Sequence, residues 1–127
     1  MNSNNVQSFP ATASQTLTTG TPVKLVKTGT IATVTKASAA TGNIGVVIGD
    51  YKTGASDAQP TAVAVQLFSG GCTALIKIKT GTSCAVGASV IVDGDGYKQG
   101  SAAYDKGSAV LLEDGTTAGD VVRAVFV

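Results

Sequence analysis

Histidine and tryptophan are both missing from the 127 residues. Without histidine the chain lacks the commonest general base and the commonest metal ligand. Aromatic residues make up only 5% and charged residues 13%, the latter about half the share usual in a soluble protein. The core must therefore be built from small aliphatic side chains. Net charge is +1, from 9 basic and 8 acidic residues, so no cationic surplus is available to neutralise phosphates. Nucleic acid is not expected as a partner. A hydrophobic content of 43% with almost no net charge is the opposite of a disordered composition. The length fits one domain, or one small domain with a tail.

Residues Met1 to Pro10 have neither the positive start nor the apolar stretch of a secretory signal. No apolar run approaches the roughly 20 residues that span a bilayer, so no membrane partner is expected. The chain is expected to be made and kept in a cytoplasm unless it leaves by a route that needs no signal. Two thiols, Cys72 and Cys84, cannot form a four-ligand zinc site without histidine. They read as reduced, partly buried small residues, with a disulfide closing a short β-loop as the alternative.

Residues 1–20 are rich in Asn, Ser, Thr and Gln, carry no charged side chain and hold only scattered apolar residues. No period of 2 or 3.6 is sustained, which predicts an arm that is flexible alone and orders on a partner. From 21 to 127 a single β domain is expected. Strands are predicted over Val23–Val26, Thr30–Thr35, Asn43–Ile48, Ala62–Phe68, Cys72–Lys79, Ser89–Val92, Tyr97–Lys98, Ser108–Leu112 and Val121–Val127. Ile31 and Val34 break strict alternation, which predicts a bulge or a twist in the second of these. Asn43–Ile48 is continuously apolar, as for a strand buried on both faces. Ile76 and Ile78 alternate with Lys77 and Lys79, as for a half-buried strand. Turn signals recur about every 8–15 residues, the spacing of an all-β sandwich or barrel. Helix is confined to two short candidates, Ser38 to Thr41 and Ser101 to Asp105, because Gly, Val and Thr dominate elsewhere. Residues Ala40 to Ile48 faintly echo Thr117 to Val125, each a small-residue turn leading into a β-branched strand.

The motifs do not support catalysis. Asp93-Gly94-Asp95-Gly96 begins like a calcium loop. However, Tyr97, Lys98 and Tyr104 stand where the third ligand, the loop glycine and the closing glutamate belong. It reads as a β-turn. Glu113 and Asp114 are adjacent, so on a strand they point to opposite faces and cannot share an acid/base site. No Gly-x-Ser-x-Gly elbow and no phosphate-binding glycine loop is present. Lys77 and Lys79 read as solvated. No enzyme activity, cofactor or metal is expected. A carbohydrate-binding module would have only Tyr51, Tyr97 and Tyr104 for stacking.

The stretch from Ala64 to Val127 resembles the small capsid decoration (cement) proteins of tailed phages. The residues that carry the likeness are Val86-Gly87-Ala88-Ser89-Val90-Ile91-Val92-Asp93, the Gly-bearing turn Gly94-Asp95-Gly96, and the closing Ala118-Gly119-Asp120-Val121-Val122-Arg123-Ala124-Val125. Weaker similarity extends over Thr28 to Asp50. The resemblance implies a β-rich homotrimer on the outer capsid surface of the virion, synthesised in the host cytoplasm. It would bind the major capsid protein after the head expands and clamp neighbouring capsomers. Near-neutral charge and a polar arm suited to strand addition agree with that role. Val6, Phe9, Pro10 and Leu17 are the expected capsid contacts, as apolar anchors in a polar arm. A phage tail or head-fibre component and a small ligand-binding β-module are the alternatives.

Overall fold

The computed structural model describes residues 5–37, 42–56, 60–79, 84–100 and 107–127. All regular elements among them are strands. They are β1 (Val6–Pro10), β2 (Thr16–Leu17), β3 (Pro22–Thr28), β4 (Ile31–Lys36), β5 (Asn43–Ile48), β6 (Tyr51–Lys52), β7 (Ala62–Leu67), β8 (Thr73–Lys77), β9 (Ser89–Asp93), β10 (Gly96–Gln99), β11 (Ala109–Leu111) and β12 (Val121–Phe126). The all-β expectation therefore holds. The two short helix candidates fall outside the described residues.

Two five-stranded antiparallel sheets divide the chain, ordered β1-β7-β5-β3-β4 and β10-β9-β11-β12-β8, and β2 pairs with β6 in a small ribbon. Each large sheet curls until its edges meet, and each closes by the same device. Ala11, directly after edge strand β1, makes a parallel bridge to Val34 in the opposite edge β4. Ile78, directly after edge strand β8, makes a parallel bridge to Tyr97 in the opposite edge β10. Backbone bonds from Thr12 N–H to the Val34 carbonyl (2.9 Å) and from Lys79 N–H to the Tyr97 carbonyl (2.8 Å) fasten the two seams. Closure of this kind removes part of the edge that an open sheet would expose.

The first barrel is filled by Ala11, Leu17, Val23, Val34, Val47, Val63 and Val65. The second is filled by larger groups, among them Ile76, Ile78, Leu111, Tyr97 and Phe126. β5 is buried on both faces, as expected. Val47 points into the first core, while Val46 joins the second. Phe68 and Phe126 meet edge to face, 5.1 Å apart at 73°, a geometry favoured by the ring quadrupoles. Gly20 lies where the two barrels touch, and a Cβ there would come within 2.6 Å of the Lys77 amide nitrogen.

Two expectations are corrected. Residues 5–20 are not a loose arm. β1 is an edge strand paired with β7 from Val6↔Gln66 to Pro10↔Ala62, and Leu17 is a fully buried core residue. A hydrogen-bond knot pins the stretch between them. The Thr53 hydroxyl donates to the Thr12 carbonyl at 2.9 Å and accepts from Gln15 N–H at 2.8 Å. The Gln15 side chain accepts from Lys36 N–H at 3.0 Å. The irregularity foreseen near Ile31 is elsewhere: β3 and β4 pair in unbroken register, and the register shift lies opposite Val23/Lys24, where Ile44 is the extra residue of β5. The cysteines are both buried and no disulfide joins them, in line with the expected reduced thiols. The Asp93–Gly96 stretch is a hairpin turn, as expected, with Asp93 paired to Gly96 and φ of +62° at Gly94.

Candidate functional site

Strands β8, β9, β11 and β12 of the second barrel bury alternate residues, and β8 and β12 leave apolar side chains outside. On β8 the inward residues are Ala74 and Ile76, so Leu75 points out. On β12 Val122 and Ala124 point in, so Val121 and Arg123 point out. Antiparallel register places Leu75 opposite Arg123 and Val121 opposite Lys77. Leu112 extends the row past Arg123, its N–H donating to the Arg123 carbonyl at 2.9 Å. Leu75, Leu112 and Val121 are each more than 40% exposed. Clustered apolar side chains on the outside of a sheet mark contact surfaces more than isolated ones do.

This surface runs into a groove of about 370 Å³ between the two barrels, lined by Ile48, Thr19 and Gln66 on one side and Thr73, Leu75 and Arg123 on the other. Ile48 is itself 38% exposed. Gln66 forms the floor, where its Nε2 donates to the Thr73 carbonyl at 2.8 Å. Register pairs Gln66 with Val6 on the outer face of the first barrel, and Val6 is 44% exposed. The apolar patches of both barrels therefore flank one inter-barrel groove.

Two cations lie on this face, Lys77 opposite Val121 and Arg123 opposite Leu75, and Arg123 is the one engaged by an acid. Its N–H and its Nε donate to Glu113 Oε1 at 2.8 and 3.2 Å. The Arg123 backbone amide, and then the guanidinium, hold the exposed Glu113 carboxyl below the usual carboxylate range. Asp114 turns away and accepts from Val86 N–H at 2.8 Å. The adjacent acids thus serve separate local bonds, and no acid pair forms. Among the described residues no group of three or more His, Cys, Asp or Glu could hold a metal ion.

The four residues expected as contacts do not come together. Val6 is exposed beside the groove. Phe9 packs against the first core, Pro10 is half-buried at the end of β1, and Leu17 lies inside the barrel. Leu17 is removed from the candidate surface by its complete burial. Ile48, Leu75 and Leu112 escape a reading of the sequence because, within apolar runs, it does not say which alternate face meets solvent. The Leu75-x-Lys77 and Val121-x-Arg123 alternation is the one signal that points outward.

No protein-family model matches the sequence, and no curated protein does. Among solved structures, the fold matches the head fiber gp8.5 N base of bacteriophage phi29, with a TM-score of 0.69 and 15% sequence identity over 96% of this chain and 94% of that one. At that identity the likeness is one of fold.

Proposed function

We propose that the chain is a structural component of a phage virion, a small β-module that attaches to the outer surface of the head as a decoration protein or as the base of a head fibre. The observation that carries this reading is the end-to-end fold match to a head fiber base, which spans nearly all of both chains. The exposed apolar surface flanking the inter-barrel groove supports it, because a binding role needs such a surface and an enzyme would need a reactive cluster. The near-neutral charge suits the outside of a shell. The major capsid protein is the proposed partner, and a homotrimer the proposed form, since three linked copies would multiply weak contacts.

The test is co-sedimentation of the purified chain with heads of the phage that encodes it, before and after expansion. Binding to expanded heads is expected, and Leu75→Asp and Ile48→Asp should abolish it while leaving the thermal melt unchanged. Heads that lose heat resistance when stripped of the chain indicate decoration; heads indifferent to its loss indicate a fibre base. Failure of the wild-type chain to bind heads in either state would remove the proposal.

A further inference from the structure

The outer edge of β8 carries a gap in its backbone pairing. β8 stands at the end of its sheet and is hydrogen-bonded along its length to β12. Phe126 N–H donates to the Cys72 carbonyl at 2.9 Å and Ile78 N–H to the Asp120 carbonyl at 2.8 Å, so the even-numbered residues of this stretch bond to β12. Antiparallel pairs alternate, and Thr73, Leu75 and Lys77 therefore turn their N–H and C=O groups away from β12. Arg123, opposite Leu75, agrees with this: its N–H donates to Glu113 and its carbonyl accepts from Leu112. The first barrel meets the outward groups at both ends of β8. The Thr73 carbonyl accepts from Gln66 Nε2 at 2.8 Å, and Lys77 N–H donates to the Gly20 carbonyl at 3.1 Å. Between them, the Leu75 N–H and carbonyl have no partner among the described residues, and Leu75 borders the inter-barrel groove.

We infer that this gap is a binding position for an extended segment of a partner polypeptide, which exchanges two main-chain hydrogen bonds with Leu75. The occupant is a polypeptide because a donor and an acceptor side by side on a strand edge match another backbone. Gln66 and Gly20 occupy the outward groups on either side, so the contact is a single bridge and does not grow into a longer ladder. In an antiparallel bridge the side chain opposite Leu75 lies on the same face as Leu75, and Leu75 and Ile48 in the groove wall favour an aliphatic residue there. Lys77 sets the charge of the segment. It has no ion pair among the described residues, whereas Glu113 is engaged by Arg123 and Asp50 accepts from Thr19 N–H. The segment is thus an aliphatic residue next to an Asp or Glu. The inference rests on the proposed function only for the source of that segment, a head protein. It is tested without heads, so its failure is distinguishable from failure of head binding.

The experiment is an NMR titration of the full chain with a capped tetrapeptide that has valine and aspartate at its centre, with a thermal melt on every variant. Before peptide is added, the Leu75 amide should exchange with solvent roughly a hundredfold faster than the ladder amide of Ile76. Peptide should shift the Leu75 amide signal and slow its exchange. Methylating the peptide's backbone amides removes their donors and should weaken binding roughly tenfold or more. Leu75→Pro deletes the outward N–H without touching the ladder to β12 and should weaken binding likewise; Leu75→Val keeps the N–H and should lose less. Lys77→Gln should erase the preference for the aspartate peptide over its asparagine analogue. Should Leu75→Pro alter the melt, the methylated peptide decides. A Leu75 amide as protected as that of Ile76 in the free chain, a signal unmoved by peptide, or equal binding of the methylated peptide would overturn the inference. Protection that rises with the chain's own concentration would assign the edge to a second copy and overturn it equally.

Discussion

The Gln66 side chain crosses from one barrel to the other, its Nε2 2.8 Å from the carbonyl oxygen of Thr73, with only 4% of the residue exposed. A buried amide that bridges two cores fixes their relative position, because a displaced partner would leave a polar group without its bond. Gln66→Leu is expected to lower stability by about 1–3 kcal/mol. Gln66→Glu should be worse near neutral pH, since a carboxylate has no proton to donate to the Thr73 carbonyl and burying its charge is costly. Urea midpoints in the order wild type, Leu, Glu would agree; Glu equal to wild type would refute the bridge.

Gly45 is held by backbone contact, with no turn involved. A Cβ at this position would fall on the Gln66 carbonyl across the β5–β7 pair. Gly45→Ala should therefore displace a central strand and yield little soluble folded protein. Gly29 differs: its φ is +64° and nothing lies within 4 Å of the place a methyl group would occupy. Gly29→Ala should cost only about 1 kcal/mol, from the left-handed backbone. Comparable melts for the two variants would contradict this distinction.

Tyr97 is fully buried and its hydroxyl donates to the Gly107 carbonyl at 2.9 Å. Burial pushes its phenol far above the ordinary range, whereas an unfolded tyrosine ionises near pH 10. The folded chain holds this proton more tightly than the unfolded one. The stability contributed is therefore fully present below about pH 10 and lost as pH rises beyond it. Denaturation midpoints should fall between about pH 9 and 11, and less steeply in Tyr97→Phe, which should itself lose about 1–2 kcal/mol at neutral pH. An identical alkaline slope in both proteins would count against the assignment.

Cys72 and Cys84 are buried in the second core with no disulfide between them. A thiol reagent should find neither in the native protein and both after denaturation, and reductant should leave the melting temperature unchanged. A native chain that already lacks two titratable thiols in denaturant would reveal a bond between them.

Much of the strand pattern is legible in the sequence because period-2 alternation and glycine turns are local signals. The apolar run Asn43–Ile48 coincides with β5, and the alternation at Ile76 and Ile78 places both inward, as observed. The glycines of the faint echo, Gly42 and Gly119, both have positive φ before a strand, consistent with a shared turn device. β1 is not legible because an edge strand packs on few sides: Val6, Gln7 and Ser8 are all exposed, so they show no alternation to read. The place of Leu17 is hidden because its burial is provided by a two-stranded ribbon whose other strand, Tyr51–Lys52, is 34 residues away. Of the candidate surface, Val6 stands out in a polar segment and the Leu75-x-Lys77 and Val121-x-Arg123 spacings point outward, whereas Ile48 lies at the end of an apolar run with no such signal.

Composition alone determined that this chain would be an all-β molecule with a small-aliphatic core and no histidine chemistry, because those properties reside in residue types and their near neighbours along the chain. Tertiary structure decided that the polar leading segment is a wall of the first barrel, that each sheet is fastened edge to edge by the residue after an edge strand, and which apolar side chains remain outside. Those outcomes depend on how far each sheet curls before Ala11 meets Val34 and Ile78 meets Tyr97. Curl is a sum of twists over many strands, and no short stretch of sequence contains it.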